Sequence, residues 1–504
     1  MIRRGFGPRS VARAQTLRVA QAQREIPLAI EQLRASAPLR VKREVLVIGA
    51  GMAGLSAAYE LEQLGFSVTV LEADDEHAGG RVRTLRFGDG RYGEAGAMRI
   101  PLDHDLTRFY CAERKLPLRP FVHSNEEGFL RVRGRLVRMK NADEIRDRFA
   151  LAEDEHALTD LQLWQRAVGA ITARLSQPEQ DDLFSDAPGF LGSGRLDENS
   201  LHGRLLEAGL SEGAIQLLAS TWNLETSLHF ALCEHLREEL EGVWAEPFDE
   251  IEGGMDRLPK ALASALTRSI EYGSPVVAIE QSESHVTAIV SNKDGPRTFT
   301  ADWMICTVPL GVLSRITYRP GWSAGKADAI RRVNYDDSTK VLALTKSRFW
   351  ELDDGIFGGG SVSDGPLGST WYPADNASKR DASLSHSPSV LLASYSWGQV
   401  ARRMARNASR SAIVSELASM HTRLKQDPDQ IEEIETWAWG DHPWSVGAYS
   451  FYYPGDQTEL HDLLIAPEGK ILIAGEHASM HHSWIQGGIE SGLRAATHIR
   501  NAEA

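Results

Sequence analysis

The chain has 504 residues, 42% of them hydrophobic, with 55 basic against 69 acidic side chains and a formal net charge of −14. That is enough apolar chain for a large core divided among two or three domains, which excludes a disordered or fibrous protein. The acidic balance argues against nucleic acid or an anionic membrane as the partner and leaves a small molecule as the ligand to look for. Residues 1–40 begin with Arg3 and Arg4 but have no apolar stretch behind them, so neither a secretory nor a twin-arginine signal is expected and the segment reads as an N-terminal arm. No run of about 18 apolar residues occurs, so no membrane span and a cytoplasmic location are expected. Cys111, Cys233 and Cys306 lie far apart without a CxxC pair, which points to reduced, buried thiols and away from a disulfide framework or a cysteine zinc site.

From Arg43 the text "REVLVIGAGMAGLSAAYELEQLGFSVTVLEA" predicts a buried strand, a glycine turn, a helix and a second strand ending at Glu72. Gly49, Gly51 and Gly54 form GxGxxG at the turn, with Met52 and Ala53 opening the helix. In that setting the glycines allow close approach of a pyrophosphate to a helix N-terminus, while Glu72, followed by Ala73, takes ribose hydroxyls. A second glycine pair follows in "HAGGRVRTL", where Gly80 precedes Arg81, a charge suited to the far side of a pyrophosphate. Next, "GEAGAMRIP" sets Arg99 behind Gly96, Ala97 and Met98. A planar fork of donors among small residues suits a carboxylate or a phosphate.

Residues 142–249 carry helical periods, with Ser200 and Ser211 as N-caps. Strand text returns at "SPVVAIEQSESHVTAIVSN", which contains Val276, and at "ADWMICTVP", "STKVLALTKSRFW", "SVLLASYSW" and "KILIAGE". A lone βαβ unit needs partner strands, so the chain must leave and re-enter its nucleotide-binding part. The expected fold is α/β. It has a discontinuous dinucleotide-binding domain of Rossmann type (41–80, 250–335 and 465–504), a mixed-sheet substrate domain (81–141 and 336–464) and a helical domain (142–249).

On "GMAGLSAAYELEQLGFSVTVLEA", "GGRVRT", "GGMDRLPKAL", "CTVPLGVL" and "AGEHASMHHSWIQGGIESGLRAA", the chain from about residue 40 onward resembles the flavin-containing amine oxidase family. The resemblance implies FAD as cofactor, with Glu476 on the ribityl chain and the helix starting near Ile485 aimed at the flavin. It also implies that Lys340 holds a water near the flavin and that Trp439 stands beside it, although Trp437 competes for that place. "GAMRIP" is similar to the L-amino acid oxidases. There the arginine matching Arg99 grips the substrate α-carboxylate, the tyrosine matching Tyr395 adds a hydroxyl bond, and the aromatic residue matching Trp484 forms a wall of the substrate cage. Ser483 stands where snake-venom members carry glycine.

The expected activity is therefore oxidation of L-amino acids by molecular oxygen to 2-oxo acids, ammonia and hydrogen peroxide, by a homodimer. Oxidative decarboxylation by a flavin monooxygenase, amine or polyamine oxidation, and a catalytically dead scaffold stay open. His477, His481 and His482 lack the pattern of a zinc site, so no metal is expected. The helical-domain histidine proposed as a base in venom members has no match in "CEHLREELEGVW", where His235 is out of register.

Overall fold

The computed structural model describes residues 26–35, 42–185, 196–244, 247–291 and 295–504. Most of the N-terminal arm, residues 1–25 and 36–41, lies outside them. At its centre four parallel strands run in the order Ser67–Leu71, Glu44–Ile48, Trp303–Cys306, Ile471–Ile473. Val45 pairs with Val68 on one side and Trp303 on the other, so the chain does return to this sheet from two distant segments. Trp303–Cys306 is buried at every position, as a parallel strand covered on both faces requires.

Helices Met52–Gln63 and Ile485–Ala502 pack together beside this sheet through small residues. A Cβ on Gly54 would lie 2.0 Å from the Gly49 carbonyl oxygen, and one on Gly492 would lie 2.3 Å from that of Ala53. The third motif glycine thus sets how near the helix comes to the strand. An antiparallel sheet of Arg297–Ala301, Val286–Val290 and Val276–Gln281, edged by Thr317–Arg319, completes this part.

The described piece of the arm forms helix Leu28–Arg34, which buries Ile30 and Leu33 in the same core. Arg34 clamps it to the body, bonding Glu60 at 2.7 Å and Glu113 at 2.7 Å, and the Tyr110 hydroxyl donates to the same Glu60 at 2.8 Å.

A seven-stranded sheet holds Ser338–Thr345 between Ile431–Ala438 and Ser389–Trp397, antiparallel to both. Its register sets Lys340 opposite Tyr395 on one side and Trp437 on the other. A smaller sheet pairs Ile100–Pro101 and Leu118–Phe121 with Phe248–Ile251, which fixes the backbone directly after Arg99.

Between strands Arg135–Arg138 and Phe248–Ile251 the described chain is helical. Ser200 Oγ accepts from the Gly203 N–H at 3.0 Å and Ser211 Oγ from the Ala214 N–H at 3.1 Å, capping helices Leu201–Glu207 and Glu212–Trp222. Helix Leu232–Glu241 buries Leu232, Cys233 and Leu236 and stops at Gly242, whose φ of 66° ends it in the left-handed conformation. The three cysteines are unpaired and buried. Among the described residues no helix is long and apolar enough to cross a membrane.

Candidate active site

One elongated cavity runs from the glycine turn of the parallel sheet to the helical part. At its first end Gly49 has φ +101°, and a Cβ there would lie 2.6 Å from Thr307 Oγ1. Helix Met52–Gln63 starts at Gly51 without a side-chain cap, and Gly51, Met52 and Ala53 line the cavity, so its first N–H groups are available to an anion. Gly80 comes within the same turn, where a Cβ would stand 3.4 Å from Gly51 Cα. Glu72 accepts from the Ala50 N–H at 2.7 Å and the Asp74 N–H at 2.9 Å; burial raises its pKa and these bonds oppose the rise. Ala73 and Val276 complete this wall. Gly54, expected on the cofactor, is not in the wall: its role is the close packing described above.

In the middle Arg81 donates to Glu476 at 2.8 Å and to the Ala448 carbonyl at 3.2 Å. Glu476 also takes the Ser450 hydroxyl at 2.8 Å and the Ser483 N–H at 3.0 Å. Burial pushes this carboxyl up, but Arg81, then His482 and His477, overcome it and hold the pKa at about 2. Helix Ile485–Ala502 begins after Trp484 with no side-chain cap, and Ile485 lines the cavity. Trp439 forms the adjoining wall and donates to the Ala95 carbonyl at 2.8 Å, whereas Trp437 lies under Arg83 at 4.3 Å and faces elsewhere.

Lys340 enters from the seven-stranded sheet. Its Nζ donates to the carbonyl oxygens of Gly96 at 2.6 Å and Glu94 at 3.2 Å and lies 4.3 Å from the centre of the Tyr395 ring. Gly96, Ala97 and Met98 therefore pass along the cavity on a backbone tied to this ammonium. Burial lowers the Lys340 pKa to about 7; Glu94 opposes the shift and Arg99 adds to it. Glu94 is pushed up to about 8 by burial against bonds from the Met255 N–H and the Thr84 hydroxyl.

At the far end Arg99 sits in an aromatic box, its guanidinium carbon 5.0 Å from the Trp244 ring, 5.3 Å from Trp371, 5.4 Å from Phe248 and 6.0 Å from Phe121. Its Nη1 is buried without a hydrogen-bond partner among the described residues, and burial lowers its pKa to about 10. Tyr395 shares this end, and the Trp484 ring meets His104 edge to face at 4.9 Å. Ser483, just before Trp484, holds φ +67°. A half-buried guanidinium among aromatic faces, with one donor lacking a hydrogen-bond partner among the described residues, is arranged for a planar anion.

The histidines disperse to separate partners: His481 to Glu241 and Glu490, His482 to Glu234, while burial keeps His477 neutral with its pKa near 3. Among the described residues no group of three or more metal-ligating side chains is placed to hold an ion. The cavity thus brings together the sequence-derived residues apart from Gly54. The sequence reading missed the aromatic box, Glu94, His104 and Glu238, since segments this far apart share no spacing that links them.

A family model described as "Flavin containing amine oxidoreductase" matches residues 52–500. An L-amino-acid oxidase of Siganus canaliculatus is 31% identical over 476 residues, covering 92% of this chain and 86% of that protein. An L-amino-acid oxidase of Daboia russelii is 30% identical over 476 residues, covering 91% and 89%. Among solved structures, a putrescine oxidase bound to putrescine superposes with a TM-score of 0.71 at 20% identity, over 91% of this chain and 99% of that one, a likeness of fold.

Proposed function

From the premise that this chain belongs to the flavin-containing amine oxidoreductase family, and is a flavoprotein oxidase with FAD as cofactor, we propose that its substrates are L-amino acids. The observation that carries this reading is Arg99, a cation lining the cavity whose buried Nη1 has no hydrogen-bond partner among the described residues. A simple amine has no group to satisfy it; an α-carboxylate does.

The cavity fits the cofactor. An uncapped helix start and two close glycines would hold the pyrophosphate, Glu72 the ribose, Glu476 the ribityl chain, and Trp439 and the start of helix Ile485–Ala502 the ring system. The chemistry FAD supplies when bound is a two-electron oxidation of the substrate α-carbon and nitrogen, with molecular oxygen as final acceptor and hydrogen peroxide as product. In this reading Arg99 and Tyr395 grip the carboxylate, and Trp484 walls the α-carbon and limits its approach to one face. Lys340 fixes the 94–98 backbone that carries Arg99 and orders water beside it. Orientation and charge are the protein's share of the work. The resulting imino acid hydrolyses to a 2-oxo acid and ammonia.

The test is a peroxide-coupled assay with each of the twenty L-amino acids, with product analysis for 2-oxo acid against amide. Peroxide and 2-oxo acid are expected. Amide would assign oxidative decarboxylation, and silence with amino acids but turnover with amines would overturn the carboxylate clamp.

A further inference from the structure

Helix Leu232–Glu241 brings three carboxylates, Glu234, Glu238 and Glu241, to the cavity wall. Their spacing of four and then three residues puts them on one helix face. Glu241 meets His481 at 2.5 Å, and Glu234 meets His482 at 2.8 Å and Arg237 at 3.8 Å. Glu238 accepts from Trp244 Nε1 at 2.7 Å. Trp244 is also the ring 5.0 Å from the Arg99 guanidinium and 5.9 Å from Trp484. One indole thus links the Glu238 carboxylate to the anion site and to the substrate wall. The Glu238 charge is felt at Arg99 and at Tyr449, which also lines the cavity.

The cavity is therefore bipolar. Arg99 and Glu238 line the same space, and the Arg99 Nη1 lacks a hydrogen-bond partner among the described residues, so a ligand carboxylate still finds a donor there. Glu234 and Glu241 are matched by His482, Arg237 and His481, so a ligand that satisfies Arg99 with a carboxylate and extends toward helix Leu232–Glu241 meets the charge of Glu238. An acidic side chain would be repelled, a neutral one would leave a carboxylate desolvated, and a cation would complement it. We propose that the preferred substrates are L-amino acids with a guanidinium or ammonium at the end of the side chain, and that Glu238 is the residue that selects them. This rests on the L-amino-acid reading of the site.

The experiment measures kcat/KM of the FAD-loaded enzyme for L-arginine against L-citrulline, which matches its length and shape without the charge. L-lysine against L-norleucine, and L-glutamate, complete the set. The basic member of each pair should win by about tenfold or more, with L-glutamate poorest. In Glu238→Gln the arginine-to-citrulline ratio should fall by about tenfold, and Glu238→Asp should recover part of it. Equal efficiency for arginine and citrulline in the unaltered enzyme overturns the proposal, and needs no variant to fold. So does a Glu238→Gln enzyme that melts normally and keeps the ratio, or that loses all substrates equally, since Glu238 would then act on a group they share. Turnover of no L-amino acid at all would overturn the underlying reading instead.

Discussion

Lys340 donates a 2.6 Å hydrogen bond to the carbonyl oxygen of Gly96, joining strand Ser338–Thr345, second from the edge of the seven-stranded sheet, to the loop that carries Arg99. The bond makes the position of Arg99 depend on a side chain from a remote part of the sequence. Lys340→Met keeps most of the volume but removes the donor from the Gly96 and Glu94 carbonyls. Stability should drop by about 1 kcal/mol, read from urea unfolding, and kcat/KM should fall more than tenfold through misplacement of the loop. Unchanged kinetics would make Lys340 a structural residue alone.

Arg99 is a desolvated cation whose buried Nη1 has no hydrogen-bond partner among the described residues. Replacing it with methionine should remove a desolvation cost and raise the melting temperature in the absence of substrate. The same change should lower amino acid efficiency on the order of a hundredfold while FAD stays bound. Comparison of melting curves, flavin absorbance and peroxide production checks all three, and a lower melting temperature would contradict the desolvation argument.

The Arg81–Glu476 pair sets an acid limit. Arg81 remains charged throughout, and the Glu476 pKa is held at about 2 against an ordinary 4.5. A depressed carboxyl contributes stability that is full above its unfolded value, and this is lost as pH falls through its folded value. The contribution should therefore decline between pH 4.5 and 2. Subtracting the Glu476→Gln stability curve from the unaltered one isolates it; a difference that stays flat over that window would remove the pair from the acid response.

Ser483 holds φ +67°, a conformation that costs a residue with a Cβ and costs glycine nothing. Its N–H is fixed on Glu476 at 3.0 Å, so the backbone cannot relax without giving up that bond. Ser483→Gly should stabilise the protein by roughly 0.5–1 kcal/mol, the strain relieved exceeding the added freedom of the unfolded chain. Chemical denaturation would show this as a higher midpoint at unchanged slope.

What the sequence exposed was local. The glycine turn, the caps Ser200 and Ser211, and the helix start at Ile485 are set by neighbours a few residues away, and each was legible from them. Gly54 sits in the same glycine motif, but only the 2.0 Å approach to the Gly49 carbonyl separates packing from ligand contact. The choice between Trp437 and Trp439 needed side-chain direction: Trp439 turns to Ala95 and the cavity, Trp437 to Arg83. The box around Arg99 was hidden altogether, since Phe121, Trp244, Phe248 and Trp371 meet only after two sheets and the helical part have packed together.

Amine against amino acid is the comparison on which the function turns. A decarboxylated substrate entering this cavity leaves Arg99 without its anion, and a site built for a polar group rejects an analogue lacking it by several orders of magnitude. A D-amino acid faces a different penalty. With its carboxylate on Arg99 and its side chain in the same space, it would carry its α-hydrogen on the face opposite to that of the L-enantiomer, and presenting the same face would mean giving up the clamp. Each accepted L-amino acid should therefore be oxidised far more efficiently than its decarboxylated amine, and its D-enantiomer should bind without turnover. In Arg99→Ala the advantage over the amine should shrink, because the amino acid loses its contact while the amine never had one. If the amine is oxidised as well as the amino acid by the unaltered enzyme, Arg99 and Tyr395 do not form a carboxylate clamp and the substrate is an amine.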